Sequence, residues 1–130
     1  MKLELVLAGC VTDQENVYGL GLNNRIPWKL PPDMKKFRRI TEGGIVIMGK
    51  NTWESLPAKF RPLPNRYNII VSATLTPVLT NDYAILPNPE TAYYAAALLA
   101  QQTKRSIFVI GGAKLANYYL EKKLIGKIHF

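Results

Sequence analysis

Within Ile26-Pro27-Trp28-Lys29-Leu30-Pro31-Pro32-Asp33-Met34-Lys35-Lys36-Phe37 a single carboxylate is set among apolar side chains at the start of a helix. Pro31 and Pro32 suit a first helical turn, where their missing N–H groups would lack partners anyway. At 3.6 residues per turn Asp33, Phe37 and Ile40 share one face with Met34 at its edge, while Lys35, Arg38 and Arg39 turn elsewhere. A carboxylate on the apolar face costs several kcal/mol unless it is paired or protonated. Asp33 therefore either meets a ligand that offers a complementary donor or complements the positive end of the helix dipole.

Two further segments have the form strand, glycine, helix. Behind Ile107-Phe108-Val109-Ile110, the pair Gly111-Gly112 lets backbone approach a bulky anion, and the helix that follows offers free N–H groups to a pyrophosphate. This is not the full dinucleotide fingerprint, and a Gly pair in such a turn is often structural. Behind Met48, Gly49-Lys50-Asn51-Thr52 repeats the arrangement with a cation added. Two converging anion sites suit a dinucleotide better than a mononucleotide.

The elements that must position these residues follow from hydrophobic pattern and breakers. Leu3 to Val11 reads as a buried strand and Thr12 to Arg25 as a loop. A helix is expected from Pro31 to about Thr41, stopped by Gly43-Gly44, then a strand over Ile45–Met48 and a short helix capped by Asn51 or Thr52. Tyr67–Ser72 is a strand, Tyr83–Leu86 a weaker one, and Pro89 to about Gln102 a helix rich in alanine. Strand over Ser106–Ile110, helix over Ala113 to about Glu121 and strand over Ile125–Phe130 complete the chain. Alternating strands and helices predict an α/β fold, a mostly parallel sheet with helices on both faces, whose ligands bind outside the carboxyl ends of the strands.

Composition narrows the partners. A chain of 130 residues, 48% hydrophobic, is one domain with one core. Seventeen basic against nine acidic residues give a net charge of +8, which favours anionic partners and fits nucleic acid, anionic lipid or a phosphorylated cofactor alike. The basic residues are scattered without an aromatic-interleaved stripe, which argues against nucleic acid. Cys10 is the only cysteine, so no disulfide forms within the chain and a reducing cytoplasm is the natural compartment. With His129 the only histidine, no metal is expected. Leu7-Ala8-Gly9-Cys10 looks like a lipoprotein cleavage box, but Glu4 interrupts an apolar run already too short for a signal-peptide core. No run approaches the length of a membrane helix, so no membrane partner is expected.

The segment around Asp33 resembles the substrate-binding helix of the dihydrofolate reductase family, and three more family signatures follow in order. Gly21-Leu22-Asn23-Asn24-Arg25-Ile26-Pro27-Trp28 is similar to that family's active-site loop. Val46 to Ser55, Arg61 to Ile70 and Val109-Ile110-Gly111-Gly112 are similar to its second, third and fourth signatures. The resemblance implies a cytoplasmic enzyme that reduces 7,8-dihydrofolate to tetrahydrofolate by hydride transfer from NADPH. It assigns Gly111 and Gly112 to the cofactor pyrophosphate. Lys50, Asn51 and Thr52 go to the phosphates, with Lys50 near the adenosine 2′-phosphate. Lys114 assists there unless it is simply solvated, and Leu20, Gly21, Gly49, Ser72 and Ile110 complete the cofactor set.

By the same resemblance Asp33 accepts a bidentate pair from the pteridine ring, and burial among Leu30, Met34 and Phe37 should raise its pKa. A water near it would supply the proton. Arg66 would grip the substrate's glutamate carboxylate, although an arginine flanking a strand is more often solvated. Ile26, Trp28, Leu30, Phe37, Leu56 and Leu63 would line the pteridine and aminobenzoyl pocket, with backbone carbonyls of Leu7 and Ala8 beside the ring.

Three features depart from the family pattern. The loop between Gly9 and Gly21 is longer than in the shortest members, which leaves open how Tyr18 and Leu20 meet the nicotinamide. Ala116 stands where many members carry a tyrosine near the nicotinamide; Tyr118 or Tyr119 could compensate, although they point elsewhere on the helix. The sequence stops at Phe130, where family members continue with a threonine that bonds the catalytic acid and with the sheet's last two strands. A single domain over residues 1–130, truncated at its C-terminus, is therefore expected, with its last strand an exposed edge open to self-association and its activity weak unless the sheet is completed. The competing readings are the related pyrimidine reductase of riboflavin synthesis, against which the Trp28–Asp33 segment argues, and a non-catalytic protein that retains the fold.

Overall fold

Ile45-Val46-Ile47-Met48 carries no polar side chain, and such a run fits best in the middle of a sheet covered on both faces. The computed structural model of the protein describes residues 2–6, 37–56, 58 and 61–129, and all four of these side chains are fully buried. β1 (Leu3–Val6), β2 (Ile45–Gly49), β3 (Tyr67–Val71), β4 (Val78–Leu79), β5 (Tyr83–Leu86), β6 (Ile107–Gly111) and β7 (Ile125–His129) form one sheet in the order β4-β5-β3-β2-β6-β1-β7. Every pairing is parallel except that of β4 with β5. Three helices accompany it: α1 (Lys50–Ser55), α2 (Pro89–Thr103) and α3 (Ala113–Glu121). Residues 37–41 are also helical.

Period-two alternation divides the core between the two faces of the sheet. Ile45, Ile47, Ile69, Ile107 and Val109 pack with Ala92, Ala96 and Ala100 of α2 and Leu115, Ala116 and Tyr119 of α3. Val46, Met48, Ile70, Phe108 and Ile110 face the other way, onto Phe37, Leu56 and Leu63. Each large aliphatic side chain so buried contributes about 1.5–3 kcal/mol relative to exposure. The alanines recur every fourth residue along α2, so its backbone lies close to the sheet. Where the helical residues 37–41 turn into β2, Gly44 is required: a Cβ there would come within 2.6 Å of the Phe108 ring.

Local chemistry sets the helix ends. α2 starts with Pro89 behind Asn88, whose side chain accepts from the Thr91 N–H at 2.7 Å, and it ends at Lys104 in the left-handed region with φ 58°. α1 differs from the sequence expectation. It begins at Lys50 directly behind an extended Gly49, and no side chain caps it among the described residues, so Asn51 and Thr52 are helical residues, not caps. Its other end is closed through space by Arg61, whose Nη2 donates to the carbonyls of Glu54 and Leu56 at 3.0 and 2.9 Å. Of the first expected strand, Leu3–Val6 is β1, and the remainder to Val11 lies outside the described residues. β4 is too short for periodicity to reveal.

Candidate functional site

The strand order β3-β2-β6 brings three carboxyl ends side by side, and a cleft of about 580 Å³ opens across them. Gly49, Lys50, Asn51 and Thr52 form one wall; Gly112, Lys114 and Leu115 form another. Val71, Ser72, Ala73 and Thr74 at the end of β3 form the third, with Pro89 and Tyr118 also on the lining. The two glycine turns adjoin: a Cβ on Gly49 would stand 3.8 Å from the Gly112 nitrogen. Gly111 has φ +136°, and a Cβ on it would meet the hydroxyl of Thr52 at 3.1 Å. Only glycine lets β6 close on α1 in this way.

The cleft's electrostatics are one-sided. Among the described residues its lining carries two lysines and no carboxylate. α3 begins behind Gly112 without a side-chain cap and without an acidic residue in its first turn, in contrast to α2, which has both. Among the described residues no side chain caps the first N–H groups of α3, which suits them to a ligand or to water. Lys50 Nζ donates to the Thr74 hydroxyl at 3.4 Å, a neutral partner that leaves its charge available. Ser72 Oγ accepts from the N–H groups of Thr74 and Leu75 at 3.2 and 3.0 Å and so fixes the turn that presents Thr74.

A second cluster lies on the face of the sheet that carries Phe37, Leu56 and Leu63, all buried. Arg66 precedes β3, and it is buried, not solvated, with 8% of its surface exposed. Its Nε donates to Thr41 Oγ1 at 2.7 Å and its Nη2 to the Arg38 carbonyl at 3.1 Å, while Nη1 donates to the Pro64 carbonyl. The guanidinium carbon sits 5.9 Å from the centre of the Phe37 ring. Burial lowers the Arg66 pKa from the usual arginine value; Glu42, with Oε2 at 3.8 Å, opposes that effect and Arg38 adds to it. Arginine nevertheless stays charged. Beneath it the fully buried Asn68 accepts from the Leu63 N–H at 2.9 Å and donates to the Leu63 and Arg66 carbonyls, both at 3.1 Å, which pins the loop between α1 and β3.

The expected cofactor residues Gly49, Lys50, Asn51, Thr52, Ser72, Gly112 and Lys114 thus share one cleft, with Gly111 against Thr52. Ile110 is buried in the core and does not line the cleft. Of the expected substrate residues, Phe37, Leu56, Leu63 and Arg66 share one face. Asp33, Leu7, Ala8, Leu20, Gly21, Ile26, Trp28 and Leu30 lie outside the described residues. Ala116 is packed in the core; Tyr118 lines the cleft, whereas Tyr119 is buried with its hydroxyl on the Pro89 carbonyl at 2.7 Å. Sequence reading missed Thr74, Thr41 and Asn68. Asn68, a polar residue inside an apolar strand, carried a usable signal; Thr41, one turn after Phe37, carried a fainter one.

A family profile described as dihydrofolate reductase matches residues 6–128. The chain is 38% identical over 111 residues to the dihydrofolate reductase of Cryptococcus neoformans, an alignment covering 75% of the chain and 48% of that relative. It is 35% identical to the bifunctional dihydrofolate reductase-thymidylate synthase of Paramecium tetraurelia over 85% of the chain and 22% of that relative. The chain therefore spans about half or less of the length of these curated relatives. The structure of Schistosoma mansoni dihydrofolate reductase superimposes with a TM-score of 0.73 at 31% identity, over 98% of this chain and 71% of that one.

Proposed function

The chain belongs to the dihydrofolate reductase family, and we propose that it catalyses the NADPH-dependent reduction of 7,8-dihydrofolate to tetrahydrofolate. The observation that carries this reading is the cleft at the carboxyl ends of β2, β3 and β6, which pairs two lysines with an uncapped helix start and contains no carboxylate among its described lining residues. That donor set fits a phosphorylated dinucleotide. Gly111, Gly112 and the first turn of α3 would hold the pyrophosphate, where any larger residue at Gly111 would meet Thr52. Lys50 and Thr74 would take the 2′-phosphate, and Lys114 would add charge at the rim. The hydride would come from NADPH held there.

The chain's own side chains would bind and orient the pterin. Among the described residues Arg66 has one N–H on each terminal nitrogen beyond those given to Pro64 and Arg38, with Glu42 Oε2 3.8 Å from Nη2, and a guanidinium fork of this kind would suit a carboxylate. Phe37, Leu56 and Leu63 supply an apolar wall beside it. Asp33 is the proposed acid that accepts from the pteridine and supports its protonation. In this reading the chain works in the cytoplasm, in tetrahydrofolate biosynthesis and one-carbon metabolism. Mixing the protein with NADPH and dihydrofolate, following cofactor oxidation and identifying tetrahydrofolate, tests it. Oxidation that depends on both the protein and dihydrofolate is expected; NADPH left intact under those conditions would refute the proposal.

A further inference from the structure

We propose that Thr41 is the positioning residue that sets the plane of the Arg66 guanidinium and so controls discrimination between pterins with and without an anionic tail; this rests on the reading of Arg66 as the carboxylate-binding group. Thr41 is fully buried one helical turn after Phe37, and its hydroxyl proton goes to the Phe37 carbonyl at 2.9 Å. That bond turns its lone pairs toward Arg66, whose Nε–H donates into one of them at 2.7 Å. A guanidinium has five N–H donors. Among the described residues Thr41, Pro64 and Arg38 take three, one from each nitrogen, which fixes the plane and leaves one N–H on each terminal nitrogen. Two of the three anchors are backbone carbonyls that no side-chain substitution removes. Among the described residues Thr41 is the one side chain within hydrogen-bond distance of the guanidinium, since Glu42 stands off at 3.8 Å. Without it the buried Nε–H loses its acceptor, and only the two carbonyls at the terminal nitrogens are left to hold the plane of the fork.

The test compares dihydrofolate with a 7,8-dihydropterin that lacks the glutamate tail, by turnover and by equilibrium binding. Thr41→Val, nearly isosteric, should raise KM and Kd for dihydrofolate about tenfold, the usual effect of leaving a buried donor unpaired. kcat and all constants for the tail-less pterin should stay within about twofold, and Thr41→Ser should restore most of the lost affinity. Equal weakening toward both pterins, or no recovery with serine, would make Thr41 merely structural and overturn the inference. An independent reading needs only wild-type protein: the Arg66 Nε–H resonance should exchange slowly with water before any ligand is added. Exchange as fast as that of surface arginines would overturn the inference even if Thr41→Val fails to fold. Failure of the wild-type chain to bind dihydrofolate would instead overturn the functional reading, and this inference with it.

Discussion

In the proposed reading Lys50 is the side chain that would decide cofactor choice. Its ammonium rests on a neutral hydroxyl, Thr74 Oγ1, so an arriving phosphate gains a charge-assisted bond without breaking an ion pair at that contact. Lys50→Ala should weaken NADPH about tenfold and leave NADH nearly unchanged, as read by titration with each cofactor. Equal losses for both would remove Lys50 from the 2′-phosphate. The sequence pattern sets Asp33 among apolar neighbours, and in the proposed reading it would meet the pteridine rather than the phosphates. Asp33→Asn should therefore cost turnover about 10²–10⁴-fold at neutral pH while NADPH affinity holds. A variant within about threefold of wild type in steady-state rate would contradict the assignment.

Between elements, the packing of β6 on α1 and of α3 on α2 carries the cleft. Gly111→Ala places a Cβ at φ +136° and 3.1 Å from Thr52 Oγ1, so it should cost about 1–3 kcal/mol, seen as a lower denaturant midpoint with unchanged slope. Tyr119 ties α3 to the start of α2 through its hydrogen bond to Pro89, and burial raises its phenol above the ordinary value of 10.0. A folded-state pKa above the unfolded one gives stability that is complete below about pH 10 and is lost as pH rises toward the folded value. Tyr119→Phe should cost about 1 kcal/mol near neutrality and should flatten that alkaline fall in denaturation midpoints. Sheet and helices are largely written in the sequence, because runs such as Ile45–Met48 and the capped start at Asn88-Pro89 each specify one element. The cleft is less so: Thr74, Pro89 and Tyr118 come from three segments, joined only by the order β3-β2-β6 and the packing of α2 and α3, which local periodicity does not encode. Arg66 shows the same limit, since solvation is the local expectation and its burial depends on Thr41 and Arg38 from an earlier segment.

Across the whole molecule, the net charge of +8 and a cleft whose described lining holds no carboxylate act in one direction, drawing anions to the carboxyl end of the sheet. NADPH affinity should accordingly fall as ionic strength rises, and fall less for NADH, which lacks the extra phosphate. In the proposed reading the cofactor binds in this cleft, formed where β2, β3 and β6 end. Hydrogen exchange of the backbone amides with and without NADPH tests it most directly. Slowed exchange at residues 49–52, 72–75 and 112–115 is the predicted result. Protection absent from those three segments, or confined to the Arg66 cluster on the other part of the sheet, would contradict it.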